Sequence, residues 1–107
     1  MLKSLEVAFD IRGTEYTDYR YEYLTIGETF SIVPETHPED PNALRIEDTH
    51  KRLVGYVPRD LAQVLVKPLK ANQINYKCTI TWIQGKRISV LVTTTPNKGN
   101  SYGDPNK

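Results

Sequence analysis

Residues 37–65 read HPEDPNALRIEDTHKRLVGYVPRDLAQVL, and their succession of turn, strand, turn, strand and helix sets the architecture expected of the whole chain. Pro38 and Pro41, following Pro34, donate no ladder hydrogen bonds, so the chain around them is an irregular connection. Asp40 and Asn42 are short polar side chains suited to closing Asx-type turns beside those prolines. Residues 43–47 form a strand with Leu44 and Ile46 on one face. Asp48-Thr49-His50-Lys51 is a polar turn, and residues 52–57 return as the second arm of a hairpin. Gly55 permits a close backbone approach or a bulge before the next element. Pro58 stands where a helix can begin, because a missing N–H is harmless in the first turn, and Asp60 suits the positive end of the helix dipole. Leu61, Ala62, Leu65 and Val66 then make an apolar stripe at helical spacing. Pro68 is expected to end the regular helix or to force a new turn.

Working outward, the flanks read as strands. Leu5, Val7, Phe9 and Ile11 alternate with Glu6, Ala8 and Asp10, the period of a half-buried strand, which Gly13 ends. Tyr16, Tyr19, Tyr21 and Tyr23 crowd the next stretch, which lacks a helical stripe. It is expected to be a loop or short irregular element returning to a strand at residues 29–33. Downstream, residues 74–83 alternate clearly, with Tyr76, Cys78, Ile80 and Trp82 on one face, so Cys78 and Trp82 are both expected in the core. Gln84-Gly85-Lys86 turns the chain into residues 87–94, where β-branched residues dominate. About six antiparallel strands and one principal helix predict a mainly β, closed or nearly closed barrel over residues 1–95, whose closure removes exposed edges. Residues 96–107 have no apolar content worth burying and are expected to be a disordered tail.

Composition narrows function more by exclusion. Cys78 is the only cysteine, so no intramolecular disulfide can form, and a reducing, cytoplasmic setting is expected. No apolar run approaches a membrane span. His37 and His50 lie in polar loops, and a His37/Asp40 pair three residues apart matches no nucleophile or metal geometry. The glycines form no phosphate-cradling pair. No enzyme and no cofactor is expected. Charge is lopsided: residues 1–50 carry eleven acids against four Lys/Arg, whereas residues 51–107 carry ten Lys/Arg against two acids. Either the halves interleave and neutralise each other, or the basic half offers a face to an anion such as a phosphate backbone.

Two motifs carry a family resemblance. Asp40-Pro41-Asn42-Ala43 is followed by the strand LRI, and Gly55-Tyr56-Val57-Pro58-Arg59-Asp60-Leu61-Ala62 follows at matching spacing. With Ile26-Gly27-Glu28 upstream, and Tyr16 in the loop after the first strand, the chain resembles the HIRAN domain family over about residues 5–93. The family is a small OB-like barrel, found alone in bacteria and phages and fused in eukaryotes to helicase-like ATPases that remodel stalled replication forks, so the resemblance implies a six-stranded antiparallel OB-like barrel with one principal helix. The stand-alone form is the expected one here. The resemblance implies binding of single-stranded DNA and recognition of its 3′-hydroxyl end, in replication or repair. It implies as partners single-stranded DNA or DNA ends, with a fork-remodelling helicase or nuclease. Tyr16 matches a base-stacking tyrosine, Asp40 the carboxylate that accepts from the terminal hydroxyl, and Arg59 a phosphate-binding lysine. Tyr56 stands where the family often has histidine, and Thr17 where another tyrosine is frequent. Glu15 and Glu39 replace a basic residue and a stacking aromatic, departures that would repel a polyanion.

The candidate nucleic-acid-binding residues are therefore Tyr16, Thr17, Tyr19, His37, Asp40, Tyr56, Arg59, Lys86 and Arg87. The competing expectation is an adaptor module that keeps the barrel and uses the tyrosine-rich loop as a protein interface.

Overall fold

The computed structural model describes residues 4–36 and 40–97. Six strands and one helix follow in order: β1 (Leu5–Asp10), β2 (Thr29–Pro34), β3 (Leu44–Glu47), β4 (Leu53–Tyr56), α1 (Arg59–Lys70), β5 (Ile74–Gln84) and β6 (Arg87–Pro96). The tyrosine-rich stretch forms two single-turn 3-10 elements, Thr14–Tyr16 and Tyr21–Tyr23. All strand pairs are antiparallel, in the order β1-β6-β5-β2-β3-β4. The sheet curls until its two edges meet: past the end of β1, Arg12 and Tyr56 exchange both backbone hydrogen bonds, at 2.9 and 2.8 Å. That bridge makes the expected OB-like barrel.

Gly55 explains how the seam closes. A Cβ at this position would lie 2.5 Å from the Arg12 carbonyl oxygen and 2.5 Å from Ile11 Cγ2. Only a residue without a side chain lets β4 approach the continuation of β1 this closely. Inside, Leu44, Ile46, Val54, Ile80, Ile88, Val90, Val92 and Cys78 are fully buried. Each large aliphatic among them contributes roughly 1.5–3 kcal/mol of transfer free energy. The helix lays Ala62, Leu65 and Val66 on this core, as its spacing predicts. Tyr21 is also core, its hydroxyl held by the carbonyls of Thr14 and Val54 and by Thr17 Oγ1. The β2–β5 ladder is only two residue pairs long, and the Tyr76 hydroxyl continues it by bonding both the N–H and the carbonyl of Ile32.

Two expectations are corrected. Pro68 does not end the helix, which runs on to Lys70. Its ring displaces the bond to the carbonyl of Val64, and Val64 lies on the exposed face, where water can take that bond. Trp82 does not share the buried face of Cys78: Cys78 is fully buried, but Trp82 is 53% exposed. Ile80 pairs with Val90 and Trp82 with Ser89, so Thr81 is an extra residue. This bulge reverses the alternation, turning Trp82 outward and Ile83 toward the core. Strands from the acidic and basic halves interleave throughout the sheet. Among the described residues, however, only the Asp10–Arg87 ion pair joins the two halves. Residues 98–107 of the expected tail lie outside the described residues.

Candidate functional site

The seam, the β2–β3 connection and the start of α1 meet at one end of the barrel, around a cleft of about 660 Å³. Each wall has a local cause. Prolines and the Asx turn build the β2–β3 side: Asp40 Oδ1 accepts from the Asn42 N–H at 3.3 Å, and the Ala43 N–H returns to the Asp40 carbonyl. The seam presents Arg12 and Tyr56. Pro58 caps the helix with extended backbone and no side-chain hydrogen bond. The first intrahelical bond runs from the Ala62 N–H to the Pro58 carbonyl. The N–H groups of Arg59, Asp60 and Leu61 therefore have no intrahelical acceptor, and Arg59 and Asp60 line the cleft.

The electrostatics are uneven. Tyr56 donates to Glu35 Oε2 at 3.1 Å, and Arg45 reaches the same carboxylate at 3.4 Å while bonding Glu47 at 3.0 Å. Burial works to raise the Glu35 carboxyl, but the Tyr56 and Thr36 hydrogen bonds and the charge of Arg45 hold it below the usual range. Burial, then the bond to Glu35, pushes the Tyr56 phenol up. Glu35 is thus ionised but spent on its partners. Arg12 and Arg59 also line the cleft; among the described residues neither side chain has a hydrogen bond or ion pair, and the Arg12 charge acts at longer range on Asp10. The cleft therefore holds two guanidinium groups without an ion pair among the described residues, a helix N-terminus, an aromatic ring and a carboxylate. Such a set suits an anion carrying a hydroxyl.

Of the residues singled out in the sequence, Asp40, Tyr56 and Arg59 converge here. Lys86 and Arg87 line a neighbouring shallow hollow with Asp10, Glu15 and Arg12, and Arg12 belongs to both. Tyr16 lines neither, standing 88% exposed one residue beyond Glu15. Thr17 is spent internally, its hydroxyl bonded to the Thr14 carbonyl and to Tyr21. Tyr19 lies in a separate hollow with Asp48, His50 and Arg52, and its hydroxyl donates to Asp48 at 2.7 Å. Burial, then that bond, raises its phenol strongly. His37 lies outside the described residues. Sequence reasoning missed Arg12 and Glu35, which approach the cleft only through strand pairing.

Comparison with known proteins agrees with the fold. The family model of the HIRAN domain matches residues 4–95. The HIRAN domain of human HLTF superposes with a TM-score of 0.71 at 14% identity, over 94% of this chain and 86% of that one. A protein from Lactobacillus plantarum superposes with a TM-score of 0.68 at 17% identity, over 88% of this chain and 99% of that one. No curated protein sequence matches the chain. With a family match spanning nearly the whole barrel and both motifs placed around its cleft, the chain belongs to the HIRAN domain family.

Proposed function

We propose that this domain binds single-stranded DNA and seats a 3′ end in the cleft beside Asp40, acting by binding rather than by catalysis. The observation that carries this reading is the pair of cations Arg12 and Arg59, neither ion-paired among the described residues, beside the free N–H groups of α1 in a cleft of about 660 Å³. Both guanidinium groups can take bidentate hydrogen bonds to phosphate. Asp40 is an acceptor for a terminal hydroxyl, and a blocked or phosphorylated end would meet its charge instead. Tyr56, fixed through Glu35, offers a ring edge to the terminal sugar or base. Tyr16 stands outside, where a splayed base can stack. In this reading a helicase or nuclease at a fork supplies the ends.

The test is a salt titration with short single strands carrying free or blocked 3′ ends. Binding is expected to weaken as salt rises, with a logarithmic slope of about −0.7 per phosphate contact. Blocking the 3′ end is expected to cost several-fold in affinity. Absence of binding at low ionic strength would favour the adaptor reading instead. The tyrosine-rich turn, where Tyr23 is 72% exposed, is the natural surface for that role.

A further inference from the structure

Trp82 is the chain's only tryptophan, and the fold spends a β-bulge on turning it out of the core. Burying such a ring is among the larger apolar gains open to a small domain. Its place on the sheet is defined by register. Asp10 pairs with Ser89, and Ser89 pairs with Trp82, so the three form one row across β1, β6 and β5. Ser89 and Arg87 both bond the Asp10 carboxylate, at 2.5 and 2.9 Å, so this row lies on the outer face. Asp10 also lines the hollow that holds Lys86 and Arg12. Trp82 thus stands two strand spacings, about 10 Å, from the wall of that hollow. The local charges favour a polyanion: Asp10 is neutralised by Arg87, and Lys86 has no ion-pair partner among the described residues. Among the described residues, Glu15 is the one opposing charge in the hollow without an ion pair.

We propose that Trp82 is a stacking platform for single-stranded nucleic acid leaving the cleft, which passes Arg12 and Lys86 and lays a base on the exposed indole. The inference rests on the proposed function of the cleft and extends it to a second contact, away from the strand's end. An indole face accepts any base, so the platform adds affinity for longer strands without adding sequence preference. A trinucleotide seated by its end in the cleft leaves few bases to extend past Arg12 and Lys86, whereas a dodecanucleotide leaves many.

Because no other tryptophan is present, the native protein reports on the platform without mutation. A trinucleotide and a dodecanucleotide, both with free 3′ ends, are titrated while indole fluorescence and the anisotropy of a labelled strand are followed together. The dodecanucleotide is expected to bind and quench the indole, whereas the trinucleotide binds without quenching. Trp82→Ala is expected to weaken the dodecanucleotide at least about five-fold and to leave the trinucleotide unchanged. Trp82→Phe is expected to recover part of the loss. If the dodecanucleotide binds with fluorescence unchanged, and Trp82→Ala binds it equally well, the platform is overturned and the cleft reading stands. If neither strand binds, both fail together. Equal weakening of both strands by a folded Trp82→Ala would place the indole at the cleft itself and also overturn the proposal.

Discussion

Gly55→Ala tests the closure of the barrel directly. The added methyl would meet the Arg12 carbonyl oxygen and the Ile11 side chain at 2.5 Å, well inside the roughly 3.5–4.0 Å of an ordinary carbon contact. The oxygen belongs to backbone, so no rotamer change relieves it and the seam itself must open. Overpacking of this kind costs about 1–3 kcal/mol. Loosening the two Arg12–Tyr56 hydrogen bonds adds about 0.5–1.5 kcal/mol for each. Replacing glycine by alanine returns about 0.4–1 kcal/mol by restricting the unfolded chain. The expected net loss is about 3 kcal/mol, a large share of the 5–15 kcal/mol typical of a domain. At about 4–8 °C per kcal/mol for a domain of this size, Tm should fall by roughly 12–24 °C. Thermal and urea melts followed by circular dichroism measure this. A Tm within about 3 °C of the wild type, with an unchanged m-value, would refute the seam as the reason for the glycine.

Other expectations concern the cleft and the core. Arg59→Ala should flatten the salt slope of DNA binding by about one phosphate contact, whereas Tyr16→Ala should weaken binding with the slope almost intact; identical slope changes would contradict the assigned roles. Glu15→Arg replaces a charge lining the Lys86 hollow and should tighten binding of a single strand in anisotropy measurements on the folded variant. Glu35 has a lowered carboxyl pKa in the folded state, so its contribution is present above the unfolded value and is lost as pH falls through the folded one. Acid melts below about pH 4.3 should therefore show a loss of stability in the wild type that Glu35→Gln lacks, and parallel curves would remove Glu35 from the network. Burial pushes the Cys78 thiol up to about 12, so native Cys78 should react with thiol reagents far more slowly than in urea.

The local elements were legible from the sequence because their signals are local. Alternation placed β1, β3 and β5 and the buried pair Leu44 and Ile46, β-branched content placed β6, and proline chemistry placed the start of α1. Asp40, Tyr56 and Arg59 were singled out by the family resemblance of two motifs in one segment, and the hairpin between those motifs folds all three onto one cleft. Tyr19 was drawn to the site by its residue type and Thr17 by its position in the family's tyrosine-bearing loop, but nearby acceptors hold both hydroxyls elsewhere.

What the tertiary structure alone decided depends on pairing between distant segments. Between the Ile80–Val90 pair and the tight turn closed by Gln84 and Arg87, β5 takes four steps and β6 three. The surplus residue must bulge, and neither strand's own alternation reveals that count, so Trp82 reads as core until its partner strand is known. Arg12 and Glu35 follow the same logic. Arg12 lies far from the motif segment along the chain and reaches the cleft because the sheet curls until its edge strands meet, whereas Glu35, just before that segment, is carried to Tyr56 by the β2–β3–β4 pairing. Periodicity tells which face of a strand is apolar; only closure of the barrel decides which polar residues end up facing one another across its seam.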